Sequence, residues 1–173
     1  MKVILYAALT ANGLVAKIDG NSDWPSQEDF ECFNTTCQKT GGVIMGRHTF
    51  DNFNGGNQAD WPIADGLHIV LTHQEYLETK HPNIKLARTP QEAINIAEQA
   101  GLKEVVVCGG SQAFGMFMKE KLVDEICLDI EPLMFGRGMQ FFDAGDFEID
   151  LELLDIKKLN KNTIQLYYKC IKV

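Results

Sequence analysis

Gly42-Val43-Ile44-Met45-Gly46-Arg47-His48-Thr49-Phe50 sets an apolar run directly against a glycine, an arginine and two hydrogen-bonding side chains. Val43, Ile44 and Met45 read as a strand buried on both faces, and Thr49-Phe50-Asp51 as the opening of a short helix beyond a tight turn at Gly46. Backbone N–H groups at a helix start have no partner inside the helix, and the helix dipole adds about half a positive charge there, so the turn suits a phosphate. Arg47 can add a two-pronged clamp. A second stretch repeats the design: Val105-Val106-Val107-Cys108-Gly109-Gly110-Ser111-Gln112-Ala113-Phe114 is a buried strand that ends in glycines and runs into a helix. Its two glycines let a ligand approach bare backbone. Two such turns suit a ligand with two phosphate positions, such as a dinucleotide, but neither has the G-x-G-x-x-G spacing of an ordinary Rossmann domain.

The remaining composition narrows the classes. A chain of 173 residues is one domain, residues 1–173, and can bury about 70% of its unfolded surface. Hydrophobic residues at 45% and charged residues at 23% are those of an ordinary globular protein. The net charge of −8, with no basic patch, argues against nucleic acid and against a membrane surface as partners. Cys32, Cys37, Cys108, Cys127 and Cys170 sit mostly among apolar neighbours without a C-x-x-C pair, which reads as core thiols in a reducing cytoplasm. His48, His68, His73 and His81 lack the spacing of a helical zinc site, and no metal is expected. Met1 to Leu9 has no export-type cleavage site and reads as a buried first strand.

Taken in order, Val3 to Leu9 is that strand, followed by a loop from Thr10 to Asp23 long enough to act as a lid. A helix is expected from Ser26, its N-cap, to Lys39, with Phe30, Phe33 and Cys37 on the buried stripe and Asp29 facing the same way as Phe33. Asn54 to Asn57 reads as a flexible loop, His68 to Thr72 and Ile84 to Ala87 as strands. Thr89-Pro90-Gln91-Glu92 opens a helix that ends at Gly101, and Gln112 to Lys121 forms another. Strand and helix thus alternate as in a parallel sheet covered on both faces. Glu125 to Ile130, Leu151 to Ile156 and Thr163 to Cys170 then read as strands, the last two forming a hairpin around Asn160-Lys161-Asn162. The edge ending in Tyr167 and Tyr168 leaves both a monomer and a homodimer open.

Joint spacing carries a family resemblance. Ala7-Ala8-Leu9 on the first strand, Trp24 five residues before Asp29, Phe33 one turn further, Ile44 to Thr49, and Gly109-Gly110 after a valine-rich strand resemble the dihydrofolate reductase superfamily, which includes the riboflavin-pathway pyrimidine reductases. The resemblance spans nearly the whole chain. It implies an α/β fold with a mixed, mostly parallel eight-stranded sheet, about four flanking helices and an antiparallel C-terminal hairpin. It also implies an NADPH-dependent oxidoreductase, with Gly46, Arg47, His48 and Thr49 on the adenosine-side phosphates and Gly109, Gly110, Ser111 and Gln112 on the pyrophosphate, across a cis Gly-Gly bond. Thr72 and His73 would meet the 2′-phosphate, while Ala8, Val15, Gly20, Leu71, Cys108 and Phe114 would line the cofactor groove. On the substrate side, Asp29 would grip a 2-amino-4-oxo pyrimidine edge, Trp24 would hold a bridging water, and Tyr6, Ala7, Phe33 and Phe53 would form the walls. A carboxylate accepts two parallel hydrogen bonds from such an edge and favours the protonated ring that receives hydride. Read alone, Asp29 three residues after Ser26 is also what a capping box requires.

Three substrates or roles follow as expectations. Dihydrofolate comes first. Reduction of the phosphoribosylamino-pyrimidine of riboflavin synthesis is the alternative, because Glu131 to Phe142, with Pro132 and Gly136-Arg137-Gly138, resembles the pyrimidine reductases. That substrate needs cations, of which Lys17 and Arg137 are the candidates. A nicotinamide-nucleotide binding module without turnover is third, because Leu67 stands where an arginine for the folate carboxylate is expected and Leu128 where a threonine partner of the acid is expected.

Overall fold

Strand β1 (Lys2–Thr10) is buried on both faces because it lies inside an eight-stranded sheet. A computed structural model of the chain describes residues 1–56, 61–143 and 145–172. The sheet runs β5 (Ile84–Ala87), β4 (Leu67–Leu71), β3 (Gly42–Gly46), β6 (Glu104–Val107), β1, β7 (Glu125–Glu131), β10 (Ile164–Ile171), β9 (Asp150–Lys158). All neighbours from β5 to β7 pair in parallel, and β10 is antiparallel to both β7 and β9. The mixed, mostly parallel sheet with an antiparallel C-terminal hairpin matches the expectation. Asn160 shapes that hairpin, its Oδ1 accepting from the backbone N–H of Asn162 and Thr163 at 2.8 Å each.

Alternation along the strands divides the core into two layers. Val3, Leu5, Ile44, Ile69, Val105 and Val107 point to the face covered by α3 (Pro90–Gln99) and α4 (Ser111–Lys119). Tyr6, Val43, Met45, Val70, Val106 and Cys127 point to the face covered by α1 (Gln27–Thr40) and α2 (Arg47–Gly55). Helix α3 starts as its sequence demands, with Thr89 Oγ1 accepting from Glu92 N at 3.1 Å and Pro90 in the first turn. The chain builds β1, crosses to β3, β4 and β5, and returns to lay β6 between β3 and β1. That reversal opens a crevice at the carboxyl ends of β3, β6 and β1, where ligands bind in open α/β sheets.

Three local expectations are corrected. The stretch from Thr10 to Asp23 is not all loop: β2 (Leu14–Lys17) pairs antiparallel with β8 (Gly138–Gln140) as a separate two-stranded ribbon. Strands this short show no periodicity. Phe30 is 41% exposed, and the buried positions of α1 are Asp29, Cys37 and Thr40, because the helix lies across the crevice with its N-terminal half overhanging an opening. Asn54 and Gly55 belong to α2 instead of a loop, and Asn57 lies outside the described residues.

The ribbon has a single tight point. A Cβ on Gly138 would stand 2.5 Å from the Ala16 carbonyl oxygen, a backbone atom that cannot turn aside. Gly138→Ala should therefore lower stability by about 1–3 kcal/mol in urea unfolding; an unchanged midpoint and slope would mean that the ribbon shifts freely.

Candidate active site

The carboxyl ends of β3 and β6 meet at two glycines. Gly46 N–H donates to the Gly109 carbonyl at 2.6 Å, and this backbone bond draws the two turns together. Gly46 is the N-cap of α2 and Gly110 that of α4; neither helix has a side-chain cap hydrogen bond or an acid in its first turn. Two helix starts therefore lie side by side with their N–H groups uncapped by side chains. The Gly109–Gly110 peptide is cis. Ser111 Oγ donates to the Gln140 carbonyl at 2.6 Å and Asp143 N–H to the Ser111 carbonyl at 3.3 Å, which holds the β8 segment against α4.

Two cavities adjoin along this seam, sharing His48, Gly110, Ser111 and Met139 in their linings. One, of about 530 Å³, is bounded by Gly46, Arg47, Leu71, Gln112, Met116 and Phe142, among others. The other, of about 670 Å³, runs from Ala8, Val15, Gly20, Thr49, Cys108, Gly109 and Phe114 to Tyr6, Ala7, Asp29, Phe33 and Phe53. Nearly every site residue inferred above is thus gathered along one groove. Three are not. Thr72 and His73 lie just past β4 outside both linings, Thr72 Oγ1 accepting from Gln74 N at 3.1 Å. Trp24 packs edge-on against Phe135, its Nε1 buried without a protein partner, and also falls outside the linings. Arg47 donates from Nε to Asp51 at 2.8 Å and from Nη1 to Gln74, so its guanidinium is already oriented at the rim.

Behind Asp29, at the far end of the larger cavity, stand two acids that the sequence reading did not assign, Asp129 and Glu131. Asp29 is 7% exposed, Asp129 fully buried and Glu131 3% exposed. The carboxyls of Asp29 and Asp129 lie close enough to share a proton. Tyr6 OH donates to Asp129 Oδ2 at 2.6 Å, and Oδ1 of each aspartate has no donor. Burial, then the bond and charge of Asp129, then the charge of Glu131 push the Asp29 carboxyl from 3.8 up to about 8. Asp129 is also raised, chiefly by burial, while Tyr6 is pushed far above its ordinary value and stays protonated. Glu131 accepts from Ser26 N and Oγ at 2.9 and 2.6 Å and from Thr163 Oγ1 at 2.8 Å. Ser26 Oγ in turn accepts from Asp29 N at 3.3 Å. The backbone of Asp29 thus serves the cap while its carboxyl faces the acid cluster.

Leu128 is not the partner position of the acid. It points to the α3 and α4 face, and its neighbour Asp129 faces Asp29. The signal was present in the strand: Cys127, Asp129 and Glu131 share one face at alternate positions, two of them carboxylates in a strand otherwise buried.

Open helix starts at the carboxyl ends of parallel strands, continuous with a buried acid, define a reductase-type oxidoreductase of dihydrofolate reductase-like fold. The chain belongs to the family described as RibD C-terminal domain, whose profile matches residues 1–165. It is similar to Bacillus subtilis YwjB, 25% identical over 96% of this chain and 97% of that protein. Similarity to dihydrofolate reductase 1 of Haloarcula marismortui, at 27% identity, covers 58% of this chain and 49% of that one. Among solved structures, a Shewanella sp. PV-4 protein named for riboflavin biosynthesis superposes with a TM-score of 0.80 at 20% identity, over 99% and 100% of the two chains. A Thermotoga maritima protein, named as a deaminase and 5-amino-6-(5-phosphoribosylamino)uracil reductase, superposes with a TM-score of 0.75 at 18% identity, over 98% of this chain and 56% of that one. These likenesses fix the fold, and the family match moves the pyrimidine-reductase class ahead of dihydrofolate reductase.

Asp29 also sets a pH dependence. Its folded value lies above its unfolded one, so the folded state binds the proton more tightly; this contribution to stability is complete below about pH 4 and is lost as pH rises through about 8. The slope for one such proton is about 1.4 kcal/mol per pH unit at most. Urea unfolding at pH 5 and pH 9 should show a clear alkaline loss in the parent and a smaller one in Asp29→Asn. Equal losses in both proteins would mean that the proton resides elsewhere.

Proposed function

We propose that the protein is an NADPH-dependent reductase of the pyrimidine-reductase class, acting on the C=N bond that joins an opened sugar to the amino nitrogen of an amino-oxo pyrimidine, or on a C=N bond in a ring fused to such a pyrimidine. The observation that carries this reading is continuity: two glycine-started helix N-termini without side-chain caps and a protonated buried acid lie at opposite ends of one groove. The residues fit the cofactor. The N–H groups of α2 and α4 suit its two backbone phosphates, and Arg47 at the rim suits the 2′-phosphate in place of Thr72 and His73. Ala8, Val15, Cys108 and Phe114 offer walls for the nicotinamide.

Bound NADPH would supply a hydride to the carbon of the C=N bond. Asp29 holds a proton at neutral pH and can pass it to the nitrogen of that bond, so that the substrate gains one hydride and one proton and the C=N becomes CH–NH. The carboxylate left behind faces the cation formed by protonation. Asp129, fixed by Tyr6, helps to keep that proton on the aspartate pair until substrate arrives. Dihydrofolate reduction stands as the second reading, favoured by Asp29 at the position from which a carboxyl grips a 2-amino-4-oxo edge. The third, a binding module without turnover, loses part of its motive because Asp129 stands where Leu128 was expected to leave a gap.

Loss of NADPH absorbance is the test. Turnover is expected with the pyrimidine or its dephosphorylated form; turnover with dihydrofolate alone would favour the second reading, and none with any would favour the third. Asp29→Asn should cut kcat by about 100-fold or more while leaving the NADPH Kd within about threefold. A variant with full turnover would remove Asp29 from the chemistry.

A further inference from the structure

Strand β9 closes one side of the eight-stranded sheet, so its outer row of backbone N–H and C=O groups has no neighbouring strand. All nine of its residues are exposed. The opposite edge, β5, is four residues long and buries Ala87, while β10, which carries Tyr167 and Tyr168, is enclosed between β7 and β9. Ladder partners on β10 show which way the side chains of β9 point. Leu151, Leu153 and Ile156 stand opposite Cys170, Tyr168 and Leu166, on the side of the sheet that α3 and α4 cover further in; Glu152 and Lys157 stand opposite Lys169 and Gln165, on the other side. The strand thus alternates as a half-buried strand does. Yet Leu151, Leu153, Leu154 and Ile156 are 42% to 57% exposed, an apolar surface uncommon on a monomer.

The charges of β9 are sorted by sign: Asp150, Glu152 and Asp155 precede Lys157 and Lys158. A strand of this pattern complements itself when run antiparallel, since a two-fold axis sets each acidic half against a lysine half. Within the strand Lys157 is paired only loosely, with Asp155 at 3.9 Å. The bulge fixes the register. Leu154 has no partner in the ladder between Leu153 and Asp155, so alternation reverses there; Leu153 and Ile156 share one face, and Glu152 and Lys157 share the other. With the axis between Leu154 and Asp155, Leu153 of one copy lies opposite Ile156 of the other, and Glu152 opposite Lys157. Sliding by two residues sets Glu152 against Asp155 in one direction and against Leu159 in the other. Lysines and a bulge also keep an edge from pairing, but an edge built only for that has no use for four exposed aliphatic side chains.

We propose that β9 is the contact surface for a second copy of this chain: two protomers join edge to edge about a two-fold axis, β9 antiparallel to β9, and their sheets become one. The proposal does not draw on the reductase reading. Sedimentation equilibrium of the full chain across the micromolar range should give twice the 19.4 kDa of one copy. Either Lys157→Glu or Glu152→Lys sets like charges opposite each other twice in the interface and should weaken the dimer at least about tenfold. Combining the two changes restores both pairs and should return the dimer to the parent's strength, which a merely structural effect of either change would not do. A monomer throughout that range would leave the edge to solvent or to a different protein and overturn the proposal. So would a dimer that both single variants leave intact, or a double variant no tighter than the singles.

Discussion

The hydrogen bonds from Ser26 to Glu131 join α1 to the central sheet, and the geometry of the acid end follows from them. Glu131 ends β7, so its carboxylate is fixed by the sheet, with Thr163 of the neighbouring chain segment bonded to its other oxygen. Ser26 is thereby held at one position and capped onto one partner, and the helix that begins there must place Asp29 three residues further, against Asp129. A buried charge without a partner is costly, which a protein avoids by keeping the group neutral. Three carboxyls in one buried cluster cannot all be ionised; Glu131 is satisfied by three donors, so the proton settles on the aspartate pair. The chemistry assigned to Asp29 is thus a consequence of where Glu131 stands in β7.

Most of the fold was legible because its strands are buried on both faces and its helices start with explicit caps. Val3 to Leu9, Val43 to Met45 and Val105 to Val107 are continuous apolar runs, and such runs belong to the interior of a covered parallel sheet. Ser26 and Thr89 accept from the third residue onward in both helices, as their spacing required. What escaped was the ribbon of β2 and β8. Its pairing joins residues more than a hundred positions apart, and its four and three residues are too few to show a period. Phe30 escaped for a different reason: an aromatic at helical spacing is ordinarily core, but a helix that roofs a cleft exposes part of that stripe to the cleft.

The site divides along the same line. Residues that belong to a local turn, Gly46 to Thr49 and Gly109 to Gln112, could be named because strand, glycine and helix start are contiguous in the chain. Asp129 could not, since it meets Asp29 only through the register Ala8 with Asp129 and Tyr6 with Cys127 in the β1–β7 ladder. Moving the partner assignment by one residue, from Leu128 to Asp129, reverses the face on which it points. The expectation of a missing partner was therefore a parity error.

The charge balance of the chain also becomes intelligible. A protein of net charge −8 is a poor host for a polyanion if cations must do the binding. The uncapped backbone N–H groups and helix dipoles at the Gly46 and Gly110 turns attract anions without side-chain charge, and Arg47 beside them is held at the rim by Asp51. Acidic side chains can then accumulate at the other end without opposing the cofactor. Met139 and Gly110 line both cavities, so the uncapped helix starts and the acids stand at the two ends of one continuous groove.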